Sequence, residues 1–193
     1  MQTREITTTE LKGGAYLALP DGSGPHPGVV VIHEAYGLND NMKDISRRLA
    51  AAGFGALAVD LFSGRVRAVC MARYMARMLT GSIHSPGIDD LKTALTFLAK
   101  RPEIDAQRLG AIGFCMGGGF AIAWACTDSR LKAIAPFYAT NPRPLDVTKR
   151  LQVVEELAHG VIRPLLAGTS NERRDSLHLL TSITSRSVCQ TPQ

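Results

Sequence analysis

Short, continuous apolar runs alternate with segments of helical periodicity along most of the chain. Four of these runs predict strands that are buried on both faces of a parallel sheet, and they lie at residues 28–33, 54–59, 109–114 and 131–137. Two further runs, at residues 4–9 and 15–19, lie on either side of Gly13 and Gly14 and predict a hairpin at the start of the sheet.

The segments between the buried runs carry apolar residues three or four positions apart, which predicts helices. We expect these helices at residues 42–52, 68–80, 91–98 and 116–126, with Asp40 as the candidate N-cap of the first. The alternation of strands and helices predicts an α/β fold with a mostly parallel sheet and helices on both faces. At 193 residues the chain has the length of one domain, so we expect residues 1–193 to form a single unit.

The composition argues against several kinds of partner. The formal net charge is +5, but the basic residues are scattered and not interleaved with aromatic ones, so we expect no nucleic-acid partner. The first residues lack the apolar core of a signal peptide, and no apolar stretch approaches membrane-spanning length. The four cysteines show neither metal-ligand spacing nor a disulfide framework. We therefore expect a cytoplasmic protein with free thiols and no membrane partner.

Residues 113–117 (Gly-Phe-Cys-Met-Gly) stand between a predicted strand and a predicted helix. They match the nucleophile-elbow pattern, with Cys115 in the place of the usual serine. The helix N-terminus that follows, beginning with the N–H of Met116, favours a thiolate and can bind an oxyanion. Gly113 and Gly117 would let the strand, turn and helix pack closely. The alternative is a glycine-rich turn that contains a buried structural cysteine.

Polar residues directly follow the other predicted strands, where parallel sheets bind their ligands. Glu34 follows the strand at 28–33, and its carboxylate could take the proton of the Cys115 thiol or could be an ordinary solvated loop residue. The N–H of Ala35 is a candidate second oxyanion donor. We expect His33 to be a structural histidine, with a functional one as the alternative, and Asp60 to be a loop or capping residue, with a catalytic acid as the alternative.

Four segments together resemble the dienelactone hydrolase family, also called carboxymethylenebutenolidases. They are residues 33–39 (His-Glu-Ala-Tyr-Gly-Leu-Asn), 47–54, 59–62 and 113–118, and the resemblance covers roughly residues 5–145. It implies an α/β-hydrolase fold and hydrolysis of a small-molecule lactone or ester through a cysteinyl acyl-enzyme. By position, Cys115 matches the family's nucleophile and Glu34 the acid that deprotonates it when substrate binds. Ala35 and Met116 match the oxyanion-hole donors.

The family also uses an arginine to hold a substrate carboxylate and completes its triad with an aspartate and a histidine. Arg77, or Arg73, is the candidate arginine, with a solvated helix face as the alternative. Asp175 follows an apolar run at residues 163–168 and is the candidate acid, with a surface aspartate as the alternative.

No histidine stands where the family pattern requires one. His159 precedes any plausible acid-bearing strand, and His178 follows Asp175 too closely for a helix and strand to intervene. The serine- and threonine-rich residues 176–193 predict a poorly specified tail, and the sheet is expected to lack its last strand. Without the histidine, acylation of Cys115 remains feasible but turnover should be slow.

Two other classes of function stay open from the sequence. The chain could be a catalytically impaired, truncated homologue that binds a small acidic ligand, and ligand binding would then not depend on Cys115. Alternatively, Cys115 could be a redox thiol, although no cysteine lies at C-x-x-C spacing from it. Covalent thiol chemistry needs neither a metal nor an organic cofactor, so none is expected. The sequence does not determine the oligomeric state.

Overall fold

A six-stranded sheet with helices packed on it forms the framework of the protein. The computed structural model describes residues 2–6, 11, 13–62, 66–80, 86–125 and 127–139. The strands, in chain order, are β1 (Gln2–Ile6), β2 (Ala15–Leu19), β3 (His26–Ile32), β4 (Gly55–Val59), β5 (Ile104–Phe114) and β6 (Leu131–Phe137). Their order across the sheet is β1-β2-β4-β3-β5-β6.

The sheet is mixed, because β2 pairs antiparallel with both β1 and β4 while the other pairs are parallel. This confirms the predicted hairpin and the mostly parallel sheet. The first strand, Gln2–Ile6, begins two residues before the predicted strand at 4–9, and residues 7–9 lie outside the described residues. The strand predicted at 109–114 begins earlier, because Ile104 and Asp105 already pair with the first residues of β3.

Four helices connect the strands within the described residues, and they are α1 (Asp40–Ala51), α2 (Arg67–Thr80), α3 (Pro86–Ala99) and α4 (Met116–Ala125). The predicted cap of α1 is wrong by one residue. Asn39 is extended and its side chain accepts the N–H of Met42 at 3.1 Å, so Asn39 is the N-cap. Asp40 instead occupies the first turn, where its charge suits the helix dipole. Among the helices that the structure describes, none is both long and apolar enough to cross a membrane.

The sheet is buried on both faces, as the apolar runs predict. Along β3, Val30 and Ile32 belong to one apolar cluster, whereas Val29 and Val31 belong to another. Since alternate residues of a strand point to opposite faces, the two clusters lie on opposite sides of the sheet. The first cluster packs against α3 and α4, and the second packs against α1.

The strand order places the candidate residues at one edge of the sheet. Ile32 of β3 pairs with Gly113 of β5, and Phe114 of β5 pairs with Phe137 of β6. Because these three strands are parallel, the residues that follow them emerge at the same edge. The loop after β3, the turn after β5 and the first residues after β6 therefore lie side by side.

Candidate active site

Cys115 occupies a strained turn between β5 and α4. Its φ is 53°, in the left-handed region that residues other than glycine rarely adopt. The Cys115 N–H donates to the carbonyl of Phe137 at 3.0 Å, and the Cys115 carbonyl accepts the N–H groups of Gly118 and Gly119 at 3.1 and 3.3 Å. The backbone on both sides of the cysteine is thus fixed, and its side chain is only partly buried. This is the geometry that a nucleophile elbow requires.

Two glycines make the turn possible. A Cβ on Gly113 would lie 2.1 Å from the carbonyl oxygen of Gly117, and a Cβ on Gly117 would lie 2.5 and 2.6 Å from the carbonyl oxygens of Ile32 and His33. Real Cβ atoms do not approach backbone oxygens so closely. The first turn of α4 therefore packs directly on β5 and on the end of β3, as the sequence predicts.

The loop that carries Glu34 and Ala35 closes in a tight turn between β3 and α1. The Gly37 N–H donates to the Glu34 carbonyl at 3.3 Å, and Gly37 itself has a φ of 79°. Both Glu34 and Ala35 are partly buried. Within the part of the chain that the structure describes, the Ala35 N–H has no hydrogen-bond partner. It is therefore available to a ligand.

His33 joins this loop to the loop after β4. Its side chain is 1% exposed, its Nδ1 lies 2.5 Å from the Glu34 carbonyl oxygen, and its Nε2 accepts the N–H of Leu61 at 3.0 Å. Its ring also packs on that of Phe62, with the centroids 4.8 Å apart. Asp60 accepts the Phe62 N–H at 2.9 Å. His33 is thus buried between backbone groups, which is in keeping with the structural role predicted for it, and Asp60 lies in a loop, as predicted.

Tyr138 is a site residue that the sequence analysis missed. It directly follows β6, has a φ of 37°, and its ring contacts Phe114 with the centroids 6.1 Å apart. Partial desolvation raises the pKa of the Tyr138 phenol, and negative charge on Glu34 and on Cys115 raises it further. The phenol therefore senses both candidate catalytic groups. Its position after a strand at this edge was the signal in the sequence.

Of the remaining predicted residues, the structure describes the side chains of some and not of others. Met116 is buried and is the first residue of α4, next to Cys115, and its role as an oxyanion donor stays a prediction. Arg73 is exposed on α2, and Arg77 lies on the same helix with its side chain outside the described part. Asp175 and the tail at 176–193 also lie outside the described residues. So does the region that bears on the prediction of a missing last strand.

No described histidine is placed to act as a base for Cys115. Within the described ranges the histidines are His26 and His33. His26 begins β3, at the opposite end of the strand from the site, and both ring nitrogens of His33 face backbone groups. His159 and His178 lie outside the described residues.

Comparisons with known proteins show which family this chain resembles. Residues 14–160 match the model of the dienelactone hydrolase family. A protein of Methylorubrum extorquens, provisionally named a carboxymethylenebutenolidase, is 32% identical over 127 residues, which cover 64% of this chain and 44% of that protein. A protein of Saccharolobus solfataricus with the same provisional name is 30% identical over 172 residues, covering 72% of this chain and 66% of the relative.

A solved structure named m3DLH is 34% identical to this chain, with a TM-score of 0.62, and the match covers 77% of this chain and 65% of the other. The sheet and its helices therefore have the α/β-hydrolase architecture. The chain spans about half to two thirds of the length of the curated relatives described above. The family match covers most of the chain and includes both the Glu34 loop and the Cys115 turn. The chain belongs to the dienelactone hydrolase family.

Proposed function

We propose that this protein hydrolyses a lactone or small carboxylic ester through an acyl intermediate on Cys115. The observation that carries the proposal is the backbone of Cys115, held at a φ of 53° at the start of α4. Strain of about 1–3 kcal/mol at a residue other than glycine persists only where the surrounding structure fixes it. Such strain is typical of residues that must present a side chain for chemistry.

The first half-reaction uses residues at this edge of the sheet. Glu34 takes the thiol proton, and the Cys115 sulfur attacks the carbonyl carbon of the substrate. The N–H groups of Ala35 and Met116 bind the resulting oxyanion. The carbon–oxygen bond then breaks, and the leaving oxygen recovers the proton from Glu34. A thioester remains on Cys115, and a lactone substrate stays attached through its opened ring.

The second half-reaction requires a water molecule activated by a base. Water adds to the thioester carbonyl, the carbon–sulfur bond breaks, and the carboxylic acid leaves as the Cys115 thiol is restored. We propose Asp175 as the triad acid on its sequence position alone. Since neither described histidine is placed as the base, we expect acylation to be faster than deacylation.

The substrate class rests on the family and on a candidate arginine of α2. The carboxymethylenebutenolidase name of the relatives denotes a lactone that carries a carboxylate, and we propose a substrate of this class. Arg77 is our candidate for the carboxylate contact. Replacement of Arg77 by alanine should then raise the KM of a carboxylated ester more than that of a neutral one, whereas the Arg48→Ala control, an exposed change on α1, should change neither.

The decisive experiment follows hydrolysis of p-nitrophenyl acetate from the first milliseconds. The wild-type protein should release a burst of about one nitrophenolate per chain and then continue slowly, as an accumulating acyl-enzyme does. Cys115→Ala should show no burst, and Glu34→Gln should slow it while keeping its amplitude. A wild-type trace identical to that of Cys115→Ala would contradict the proposal and favour a non-catalytic binder.

A further inference from the structure

The two hydrogen-bond partners of His33 define its protonation state. The Glu34 carbonyl can only accept, so the Nδ1 that faces it carries a proton. The Leu61 N–H can only donate, so the Nε2 that faces it is unprotonated. We therefore assign His33 the neutral imidazole form that donates to one loop and accepts from another, with the Asp60 carboxylate 3.7 Å from Nε2. Each nitrogen already has a backbone partner, so the ring is held in one orientation.

The Glu34 carbonyl belongs to the same peptide unit as the Ala35 N–H. A trans peptide is planar, and its C=O and N–H point in opposite directions. A group that fixes the Glu34 carbonyl therefore also fixes the direction of the Ala35 N–H. This carbonyl accepts from His33 on one side and from the Gly37 N–H, at 3.3 Å, on the other. The Ala35 N–H opposite has no partner among the described residues.

The Nε2 side of the His33 ring is held by the loop after β4. Leu61, which donates to Nε2, lies after β4 and is buried. This loop is fixed in turn, since the Asp60 N–H donates to the Gly14 carbonyl at 2.9 Å and the Asp60 carboxylate accepts the Phe62 N–H. His33 thus connects the Glu34–Ala35 peptide to the hydrogen-bonded loop after β4.

We infer that His33 is a positioning residue for the oxyanion hole: by holding the Glu34 carbonyl, it directs the Ala35 N–H at the substrate oxygen. The inference rests on the proposed function. It assigns His33 no proton transfer and no contact with substrate. Its effect should appear only in reactions of Cys115 that pass through an oxyanion.

Two substitutions separate the two hydrogen bonds of His33. The amide nitrogen of asparagine takes the place of Nδ1, so His33→Asn keeps the donor to the Glu34 carbonyl and loses the acceptor for Leu61. The longer glutamine side chain places an oxygen near Nε2, so His33→Gln keeps the acceptor and loses the donor. If the donor matters, only the glutamine variant misdirects the Ala35 N–H.

The test compares two reactions of Cys115 in the full chain. Acylation by p-nitrophenyl acetate forms an oxyanion, whereas alkylation by iodoacetamide displaces iodide and forms none. His33→Gln should lower the acylation rate constant about 30-fold, less than the loss of an entire oxyanion donor, and His33→Asn should lower it by no more than about threefold. Alkylation, followed on the Cys115 peptide by mass spectrometry, should change less than about twofold in both variants.

The experiment distinguishes failure of the His33 inference from failure of the proposed function. Equal losses of acylation and alkylation in His33→Gln would overturn the inference, because His33 would then act on the whole turn. Acylation at the wild-type rate in His33→Gln would also overturn it. If His33→Gln does not fold, as thermal unfolding would show, a 30-fold acylation loss in a folded His33→Asn overturns it instead. A wild-type protein that alkylates but does not acylate refutes the proposed function itself.

Discussion

Cys115 illustrates how single residues determine the site. A φ of 53° at a side chain with a Cβ is unfavourable, and three backbone hydrogen bonds around it supply the compensation. Gly113 and Gly117, on either side, allow the close backbone packing of this turn because they carry no side chain. The local chain is therefore built for one conformation, and small steric changes at these glycines should affect the fold strongly.

We expect Gly117→Ala to destabilise the protein through overpacking. Its Cβ would approach the Ile32 and His33 carbonyl oxygens to 2.5 and 2.6 Å, and neither oxygen can move without disturbing β3. The free energy of unfolding, measured with urea, should fall by about 3 kcal/mol. Gly14→Ala is the matched control, because a Cβ there would meet nothing within 4 Å. Equal effects of the two substitutions would contradict the close packing of α4.

Tyr138 provides a test of whether Glu34 lies at the site. Negative charge on Glu34 disfavours the charged phenolate and so raises the pKa of Tyr138. Glu34→Gln removes that charge and should lower the pKa of Tyr138, which desolvation will still hold above its ordinary value. The measurement is an ultraviolet titration of phenolate absorbance. The curve of the same protein carrying Tyr138→Phe is subtracted, both for the wild type and for Glu34→Gln, so that only Tyr138 contributes. Asp40→Asn, an exposed change on α1, should leave the Tyr138 titration unchanged.

The elements show which features of the fold are predictable from sequence. Apolar runs predict β2 and β6 with their observed bounds, because these strands are almost entirely apolar in sequence. The start of β5 could not be found this way, because Asp105 and the next three residues are polar or exposed although the strand continues through them. Its pairing with β3 is a tertiary feature. Glu34 and Cys115 were predictable because they follow buried runs, whereas the left-handed backbone and charged neighbours of Tyr138 arise only in the folded sheet.

A buried aspartate, with its partner Arg130, connects α4 to α3. Asp128 is 7% exposed and accepts the indole N–H of Trp124, at the end of α4, at 3.1 Å. It also accepts two hydrogen bonds from the Arg130 guanidinium, which reaches Thr96 of α3 at 2.8 Å. Burial by itself would raise the pKa of Asp128, but the bonds from Arg130 and Trp124 outweigh it and the pKa is lowered.

This lowered pKa predicts acid sensitivity with a defined sign. An Asp carboxyl whose pKa is lower in the folded state stabilises the fold above its unfolded value of 3.8, and the stabilisation is lost as the pH falls through the folded value. Asp128→Asn should cost about 1–2 kcal/mol at neutral pH and should flatten the decline of stability below about pH 4. Urea unfolding between pH 2 and 7 measures both effects. Asp105→Asn, whose partner Arg108 is largely exposed, should have a smaller effect, and equal effects would contradict the role given to Asp128.

At the scale of the whole molecule, the described residues contain the groups that we propose for acylation, but no described histidine is placed to serve deacylation. The elbow, the Glu34 loop and the oxyanion donors lie between residues 33 and 116, inside the family match at 14–160. Asp175, His159 and His178 lie beyond the described part. If the second half-reaction has no efficient base, a strong nucleophile that needs none should replace water.

Hydroxylamine is such a nucleophile, because it attacks thioesters without general-base assistance. We expect it to raise the steady-state rate of p-nitrophenyl acetate hydrolysis at least about tenfold while leaving the burst amplitude unchanged, since a general base typically contributes 10²–10⁴-fold. Cys115→Ala should show only the background reaction of hydroxylamine with the ester. No acceleration would mean that deacylation already has its base. His84→Ala, His159→Ala and His178→Ala would then show which undescribed histidine supplies it, because the variant that lacks the base should show the slow phase and its sensitivity to hydroxylamine.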